Sequence, residues 1–150
     1  MFRVRKKFKF EAAHRLKSSY TEPCQRFHGH IFVVEVFICS SKLNEDGMVI
    51  DFGKLKDLME DILKEFDHRI LLDTTDVTVG AFVEIEKATQ QDFGLQILPT
   101  PPTAEFFAMH IFDRLSRKVK NVALSNNPYL EWVRVHETET GWAEYNGEIE

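Results

Sequence analysis

The sequence has few of the features that mark secreted, membrane or nucleic-acid-binding proteins. Two cysteines, Cys24 and Cys39, occur among its 150 residues, too few for a disulfide framework, and we expect a reducing cytoplasm in which Cys24 stays a free thiol. No apolar run approaches the ~20 residues of a membrane span, and no apolar leader of the signal-peptide type is apparent. The net charge of -5 argues against a nucleic-acid surface. We therefore expect one globular domain over residues 1–150, with neither nucleic acid nor membrane as partner.

Against this plain background, three histidines form a candidate metal site. His28 and His30 are two residues apart in C-Q-R-F-H-G-H, so both rings point to one face of an extended strand. His14 ends the segment F-E-A-A-H, and an antiparallel neighbour strand would bring it beside them. Three neutral imidazoles suit Zn²⁺ and leave a fourth position open for water or substrate. This pattern favours catalysis over a structural metal.

Two long strands are predicted around these histidines. From Phe2 to His14, apolar and charged residues alternate, and His14 falls on the apolar face. The second strand runs from about His28 to Ser40 and is largely apolar on both faces, so both faces need cover. Two helices can cover one face only. We therefore expect a homo-oligomer.

Apolar residues at helical spacing predict a helix over 52–66 with Asp51 as its N-cap, and a second helix that begins after Thr103. Strands over 129–138 and 142–145 complete the chain. The order is ββααββ, which predicts an α+β fold: a four-stranded antiparallel sheet with two helices on one face.

The segment from 73 to 101 is the least regular part of the sequence. It contains T-T-D-V-T-V-G, which indicates a loop or short strand, and L-P-T-P-P, which indicates a proline-rich stop. Residues 82–91 are compatible with a short helix.

Cys24 and the pair Asp67-His68 each allow two interpretations. A cysteine such as Cys24 can be a small buried apolar residue, or a thiolate that acts as general base beside a metal-bound substrate. His68 can stabilise the end of a helix through the dipole. Alternatively, Asp67 fixes the tautomer of His68, whose other ring nitrogen then moves a proton. Cys39 lies within an apolar strand and is expected in the core.

Two glutamates are candidate ligand contacts. Glu105 lies in the first turn of the second helix, where the dipole alone favours it. Glu137 is in phase with Val133 and Val135, and an acidic side chain on an apolar face needs a donor partner. A guanidine-like ligand edge with two parallel N–H groups would match a carboxylate there. His136 falls on the opposite strand face, away from such a pocket.

Taken together, five motifs resemble those of the 6-pyruvoyl-tetrahydropterin synthase family, and of its 6-carboxytetrahydropterin synthase branch in particular. The motifs are F-E-A-A-H-R-L, C-Q-R-F-H-G-H, F-D-H-R-I-L, P-T-A-E and V-H-E-T. The family fold is the tunnelling or T-fold, whose members form trimers that stack into hexamers. Residues 73–98 look longer than the compact members need.

The resemblance implies a role for each motif residue. His14, His28 and His30 would be the zinc ligands, and Cys24 the catalytic base. Asp67 and His68 would supply the Asp-His element. Pterin contacts would come from Thr103, Glu105 and Glu137.

The implied reaction converts 7,8-dihydroneopterin triphosphate to 6-carboxytetrahydropterin, with loss of triphosphate and acetaldehyde, and serves 7-deazaguanine (queuosine) synthesis. Relatives that form 6-pyruvoyl-tetrahydropterin are one alternative. Another is the 6-hydroxymethyl-dihydropterin-forming type of folate synthesis, in which Glu22 would be the base. Outside these enzymes, a zinc-containing pterin-binding module and a cupin-like protein with Glu35 as ligand are alternatives. Glu35 lies on the wrong strand face for the cupin arrangement.

Overall fold

The computed structural model describes residues 1–147, which form six strands, three α-helices and one short 3-10 turn. The predicted domain 1–150 therefore ends in three residues, 148–150, that lie outside the described part. In chain order the elements are β1 Phe2–His14, the 3-10 turn Glu22–Gln25, β2 His28–Ser40, α1 Phe52–Lys64, β3 Arg69–Asp73, α2 Val79–Thr89, β4 Leu95–Leu98, α3 Ala104–Asn121, β5 Tyr129–His136 and β6 Trp142–Tyr145.

The two long strands form the centre of the sheet. They pair antiparallel along their full length, with Phe2 opposite Ser40 at one end and His14 opposite His28 at the other. Their alternating apolar residues turn to the same side, because successive side chains of a strand point to opposite faces. The bounds predicted for both strands are confirmed.

The prediction of a four-stranded, wholly antiparallel sheet is wrong. The sheet has six strands in the order β4-β3-β1-β2-β5-β6, and β3 pairs parallel with both β1 and β4. These two strands are only five and four residues long. Runs this short show too little alternation to be separated from loop by pattern alone.

Helix α2 explains why residues 73–98 form a long segment. Parallel neighbours such as β3 and β4 cannot be joined by a tight hairpin, so the chain must cross back before it pairs again. α2 provides this crossing at Val79–Thr89, close to the helix suggested over 82–91. The L-Q-I-L run that follows is β4.

Helices α1 and α3 cover one face of the sheet. Both begin as predicted: the Asp51 carboxylate accepts from the backbone N–H groups of Gly53 and Lys54, and the Thr103 hydroxyl accepts from that of Phe106. α1 ends at Lys64, two residues before its predicted end. The shared core includes Phe10, Phe32, Val34, Leu55, Met59, Phe107, Ile111 and Val135.

The other sheet face is less apolar than the pattern of β2 indicates. Glu35 is 3 % exposed there, and charged neighbours surround it. Phe37 packs against Trp132 with ring centroids 4.8 Å apart and the ring planes tilted by 37°, whereas Ile31 is 58 % exposed. Within residues 1–147, no helix is both long and apolar enough to cross a membrane.

Candidate metal and active site

The antiparallel pairing of β1 and β2 brings His14, His28 and His30 together at one end of the sheet. His14 lies opposite His28 in the register, and His30 lies opposite Ala12. Each imidazole offers one ring nitrogen, and these atoms lie within 4.8 Å of one another. The predicted histidine cluster is thus present as a group that could bind a metal ion.

Backbone carbonyls orient two of the three rings. His14 Nδ1 donates to the Pro102 carbonyl at 2.8 Å, and His28 Nδ1 donates to the Arg26 carbonyl at 2.7 Å; the tautomers follow from these partners. Each Nε2 is then left with a lone pair. The Nε2 atoms of His14 and His28 face each other at 3.1 Å, close to the roughly 3.3 Å edge of a tetrahedral Zn–N site.

Burial favours the neutral form of His14 and His30, which is the form that binds a metal. His14 is fully buried. Burial, and then the neighbouring rings of His28 and His30, lower its pKa to about 4 against the opposing hydrogen bond to Pro102. Burial also lowers the pKa of His30. Three imidazoles that converge on one point, two of them oriented by backbone carbonyls, fit a bound metal ion such as Zn²⁺.

Glu137 lies beside the cluster. It follows β5, and its Oε1 is 3.6 Å from His14 Nε2 and 3.9 Å from His30 Nε2. The carboxylate is half-buried on the helix-covered side, the face expected from its phase with Val133 and Val135. A ligand that Glu137 holds would therefore lie next to the metal position.

Cys24 is a free, half-buried cysteine in the 3-10 turn Glu22–Gln25. Its carbonyl accepts a hydrogen bond from the Leu16 backbone N–H at 2.8 Å. The thiol is not part of the histidine cluster. Glu22, the alternative base, is exposed and forms an ion pair with Arg26 at 2.6 Å. Cys39 is buried, as expected.

Asp67 and His68 form a tight turn between α1 and β3. Asp67 Oδ1 accepts from the Glu11 backbone N–H at 2.9 Å, and Asp67 Oδ2 lies 3.1 Å from His68 Nδ1. Burial alone would raise the pKa of Asp67, but these hydrogen bonds outweigh it and hold the pKa below its usual value. His68 is left-handed, with φ 58°, and its side chain is 76 % exposed.

His68 also borders an open cavity of about 520 Å³ together with Glu11 and His30. The exposed His68 side chain is therefore accessible from this cavity. The pairing of Asp67 with His68 matches the expected orienting arrangement.

Thr103 and Glu105 lie together at the start of α3. Thr103 caps the helix, and both residues line a cavity of about 380 Å³. Glu105 is exposed. The adjacent Pro102 carbonyl is the acceptor that holds His14, so this turn contributes to the metal cluster as well. Sequence reasoning missed this role, because a backbone carbonyl leaves no residue signature.

Two further histidines serve elsewhere in the structure. His110 packs between α3 and α1 and lies 3.0 Å from Glu65. His136 pairs with Glu35 at 2.9 Å on the far face of the sheet. Glu35 is thus engaged away from the histidine cluster, which removes the cupin-like arrangement.

Comparison with known proteins agrees with this geometry. A sequence model described as 6-pyruvoyl tetrahydropterin synthase matches residues 3–148. The chain belongs to the 6-pyruvoyl tetrahydropterin synthase family. It is 33 % identical over 139 residues to a 6-carboxy-5,6,7,8-tetrahydropterin synthase of Rickettsia conorii, with 92 % of this chain and 95 % of the relative covered. To the protein of that name from Haemophilus influenzae it is 33 % identical over 151 residues, with 97 % and 99 % covered.

A solved member of the 6-pyruvoyl tetrahydropterin synthase family has the same fold. The Caenorhabditis elegans 6-pyruvoyl tetrahydropterin synthase superposes with a TM-score of 0.67 at 26 % identity, covering 98 % of this chain and 96 % of that one. The resemblance noted from the five motifs is confirmed, and so is the prediction of a lyase-type pterin synthase.

Proposed function

We propose that this protein converts 7,8-dihydroneopterin triphosphate to 6-carboxy-5,6,7,8-tetrahydropterin, with loss of triphosphate and acetaldehyde. The name shared by the Rickettsia and Haemophilus relatives supports this product. The observation that carries the proposal is the cluster of three imidazoles, two of them oriented by backbone carbonyls, beside the Glu137 carboxylate. We place the reaction in 7-deazaguanine (queuosine) synthesis.

We assign Zn²⁺ as the cofactor, held by His14, His28 and His30. When bound, zinc would polarise the side-chain oxygens of the substrate and favour their deprotonated form. The fully buried His14 fixes one ligand in the core, while the half-buried His28 and His30 leave the metal position open toward the surface.

The protein's own side chains would bind the pterin and move protons. Glu137 would accept two N–H groups from the amino-pyrimidine edge of the pterin, and Glu105, with Thr103 beside it, would be a further pterin contact. Cys24, as the thiolate, would take a proton from the substrate side chain. His68, held by Asp67, would return or relay one.

We further propose a single T-fold domain over residues 1–150 that works as a homo-oligomer, a trimer or a dimer of trimers, in the cytoplasm. The uneven cover of the sheet supports this, because Ile31 on the far face and Trp142 on the edge strand β6 are more than half exposed. A neighbouring copy would cover them.

A product assay tests the reaction. Zinc-loaded protein is incubated with 7,8-dihydroneopterin triphosphate, and the pterin is identified by mass spectrometry. Carboxytetrahydropterin together with acetaldehyde supports the proposal. Pyruvoyl-tetrahydropterin would assign the other branch, and hydroxymethyl-dihydropterin would point to Glu22 and folate synthesis. Normal zinc content without any product would indicate a binding module.

A further inference from the structure

The segment that crosses from β3 to β4 packs against the loop that carries Cys24. We call residues 74–94 the crossing segment and residues 15–27 the cysteine loop. Phe82 of α2 meets Phe27 edge to face, with centroids 5.7 Å apart. The guanidinium of Arg15 lies 5.6 Å from the centre of the Phe27 ring. Such contacts stabilise a surface loop through both area and geometry.

Asp76 of the crossing segment is the charged part of this contact. It is 4 % exposed, and its Oδ2 accepts from Arg15 Nε at 2.7 Å. Its Oδ1 accepts from the backbone N–H and the hydroxyl of Thr78 at 2.9 and 2.6 Å. Burial would raise the pKa of Asp76, but these donors hold it below its usual value. The Asp76 carboxylate is therefore buried, charged and satisfied at both oxygens, whereas the Arg15 side chain is 20 % exposed.

The contact with Asp76 passes through Arg15 to the turn that contains Cys24. Arg15 Nη1 donates to the Gln25 carbonyl at 3.4 Å, and the Leu16 N–H donates to the Cys24 carbonyl at 2.8 Å. The carbonyls of Cys24 and Gln25 are thus both held by the two residues that follow β1. The position of Arg15 in turn depends on Asp76.

A second ion pair anchors the same loop. Lys17 Nζ lies 3.2 Å from Asp73 Oδ1, at the end of β3 where the crossing segment begins. The Thr75 hydroxyl and backbone N–H also donate to Asp73 Oδ1. The cysteine loop is therefore fixed to β3 and the crossing segment by two carboxylates that are each at least nine-tenths buried.

We propose that Asp76, Arg15 and Phe82 are positioning residues, and that the crossing segment holds the Cys24 turn in the place where its thiol serves the reaction. The inference rests on the proposed function of Cys24 as base. A misplacement of about 1 Å in a reacting group can cost on the order of a hundredfold in rate. Loosening this contact should therefore lower turnover without removing any group that touches substrate.

The test compares Phe82→Ala and Asp76→Asn with the matched control Val77→Ala, whose side chain is 85 % exposed in the same segment. We expect kcat to fall about tenfold in the first two variants, with KM within about twofold and zinc content unchanged. The conservative variant Phe82→Tyr, which keeps the edge-to-face contact, should restore kcat. The control should match wild type.

Two readouts that need no turnover keep this test separate from the proposed reaction. Hydrogen exchange of amides 16–27 should accelerate at least about fivefold in Phe82→Ala. Alkylation of Cys24 by iodoacetamide should speed up at least about threefold, with the buried Cys39 as internal reference. If wild type gives no pterin product while these rates change, the reaction is wrong and the positioning stands.

Unchanged rates of hydrogen exchange and alkylation in Phe82→Ala would overturn the inference. A kcat of Phe82→Ala that is no lower than that of Val77→Ala would also overturn it. Arg15→Gln combined with Asp76→Asn provides a further check. Because the two side chains act as one pair, the double variant should be no slower than either single variant. Additive losses would show that Arg15 and Asp76 act independently and would contradict the proposed route.

Discussion

Strand β2 carries two clusters of polar side chains on its opposite faces, and they are built in opposite ways. On one face, Glu35 is nearly buried, yet each carboxylate oxygen has cationic or donor partners: Arg5 at 2.9 Å and His136 at 2.9 Å, with Lys7 and Arg134 at 3.7 Å. On the other face, His28 and its two histidine neighbours direct lone pairs toward one another.

This difference in pairing distinguishes a structural cluster from a candidate metal site. A buried polar group whose partners all lie within the chain stabilises the fold and needs no ligand to satisfy it. The Nε2 atoms of His14 and His28 face each other at 3.1 Å, a spacing that suits two ligands of one metal ion. We call Glu35 and its partners Arg5, Lys7, Arg134 and His136 the closed cluster. We call His14, His28 and His30 the open cluster. The following variants break one or the other, in order of expected effect.

His28→Ala should break the open cluster and have the largest effect. Loss of one of three imidazoles should weaken zinc binding by more than about 100-fold, beyond what is typical for loss of an outer-sphere partner. Pterin turnover should become undetectable. Metal content by plasma mass spectrometry after dialysis measures this directly.

The matched control for His28→Ala is His136→Gln, which alters a histidine of the closed cluster on the neighbouring strand. It should keep its zinc. Undiminished zinc in His28→Ala would move the metal site elsewhere in the chain.

Cys24→Ala tests whether turnover can be lost while the open cluster still binds zinc. Since the thiol is not part of the histidine cluster, the variant should keep its zinc. Its kcat should fall by about 10²–10⁴-fold, the usual contribution of a general base. Steady-state turnover alongside zinc content checks both expectations.

Glu22→Gln is the companion variant in the same turn. Glu22 is exposed and engaged with Arg26, so its loss should leave turnover near the wild-type level. A full loss in Glu22→Gln together with an active Cys24→Ala would reverse the assignment of the base.

The strands that carry the open cluster were predictable because they are long. Thirteen residues of alternation over Phe2–His14 define both the strand and the face of its last residue. In β2, a long apolar run defines the strand, and the spacing of two residues places His28 and His30 on one face. β3 and β4 were missed because four or five residues show no period. Their parallel pairing, and the crossing helix it requires, depends on contacts between segments far apart in sequence.

Within the site, side chains were predictable and backbone partners were not. The histidines and Glu137 could be placed by strand phase. The carbonyls of Pro102 and Arg26, which orient His14 and His28, have no residue signature. The closed cluster was also missed. Glu35 lies in an apolar strand, and the sequence does not show that Arg5 of β1 and His136 of β5 would pair with it from the two neighbouring strands.

Glu137→Ala should have an intermediate effect at the edge of the open cluster. Removing a carboxylate that accepts charge-assisted or paired hydrogen bonds costs about 1.5–3 kcal/mol, so pterin affinity should fall roughly 10–100-fold. Zinc content should stay near one per chain, because three imidazoles remain. Titration with a non-reactive pterin measures the dissociation constant, and an unchanged value would remove the anchoring role.

Glu35→Gln breaks the closed cluster and should have the smallest effect on function. Zinc content and kcat should be those of wild type. The free energy of unfolding at pH 7 should fall by about 1–3 kcal/mol. The loss should be no larger because Arg5 and Lys7 are half exposed and can regain water when the carboxylate is removed. Urea unfolding measures the change. A loss of zinc would show that the two faces are coupled and that the comparison does not hold.

The pH dependence of the same variant identifies the cause of that lost stability. Burial alone raises the pKa of Glu35, but the hydrogen bond from His136 and the charges of Lys7 and Arg5 outweigh it, so the folded-state pKa lies below the ordinary 4.5. A carboxyl group whose pKa is depressed by folding stabilises the fold fully at pH values above its ordinary pKa of 4.5. This stabilisation is lost as the pH falls through the folded-state pKa. The gap in unfolding free energy between wild type and Glu35→Gln should therefore shrink as the pH falls below 4.5 and through the folded-state pKa. A gap that persists unchanged in acid would attribute the effect to packing rather than to the charge of Glu35.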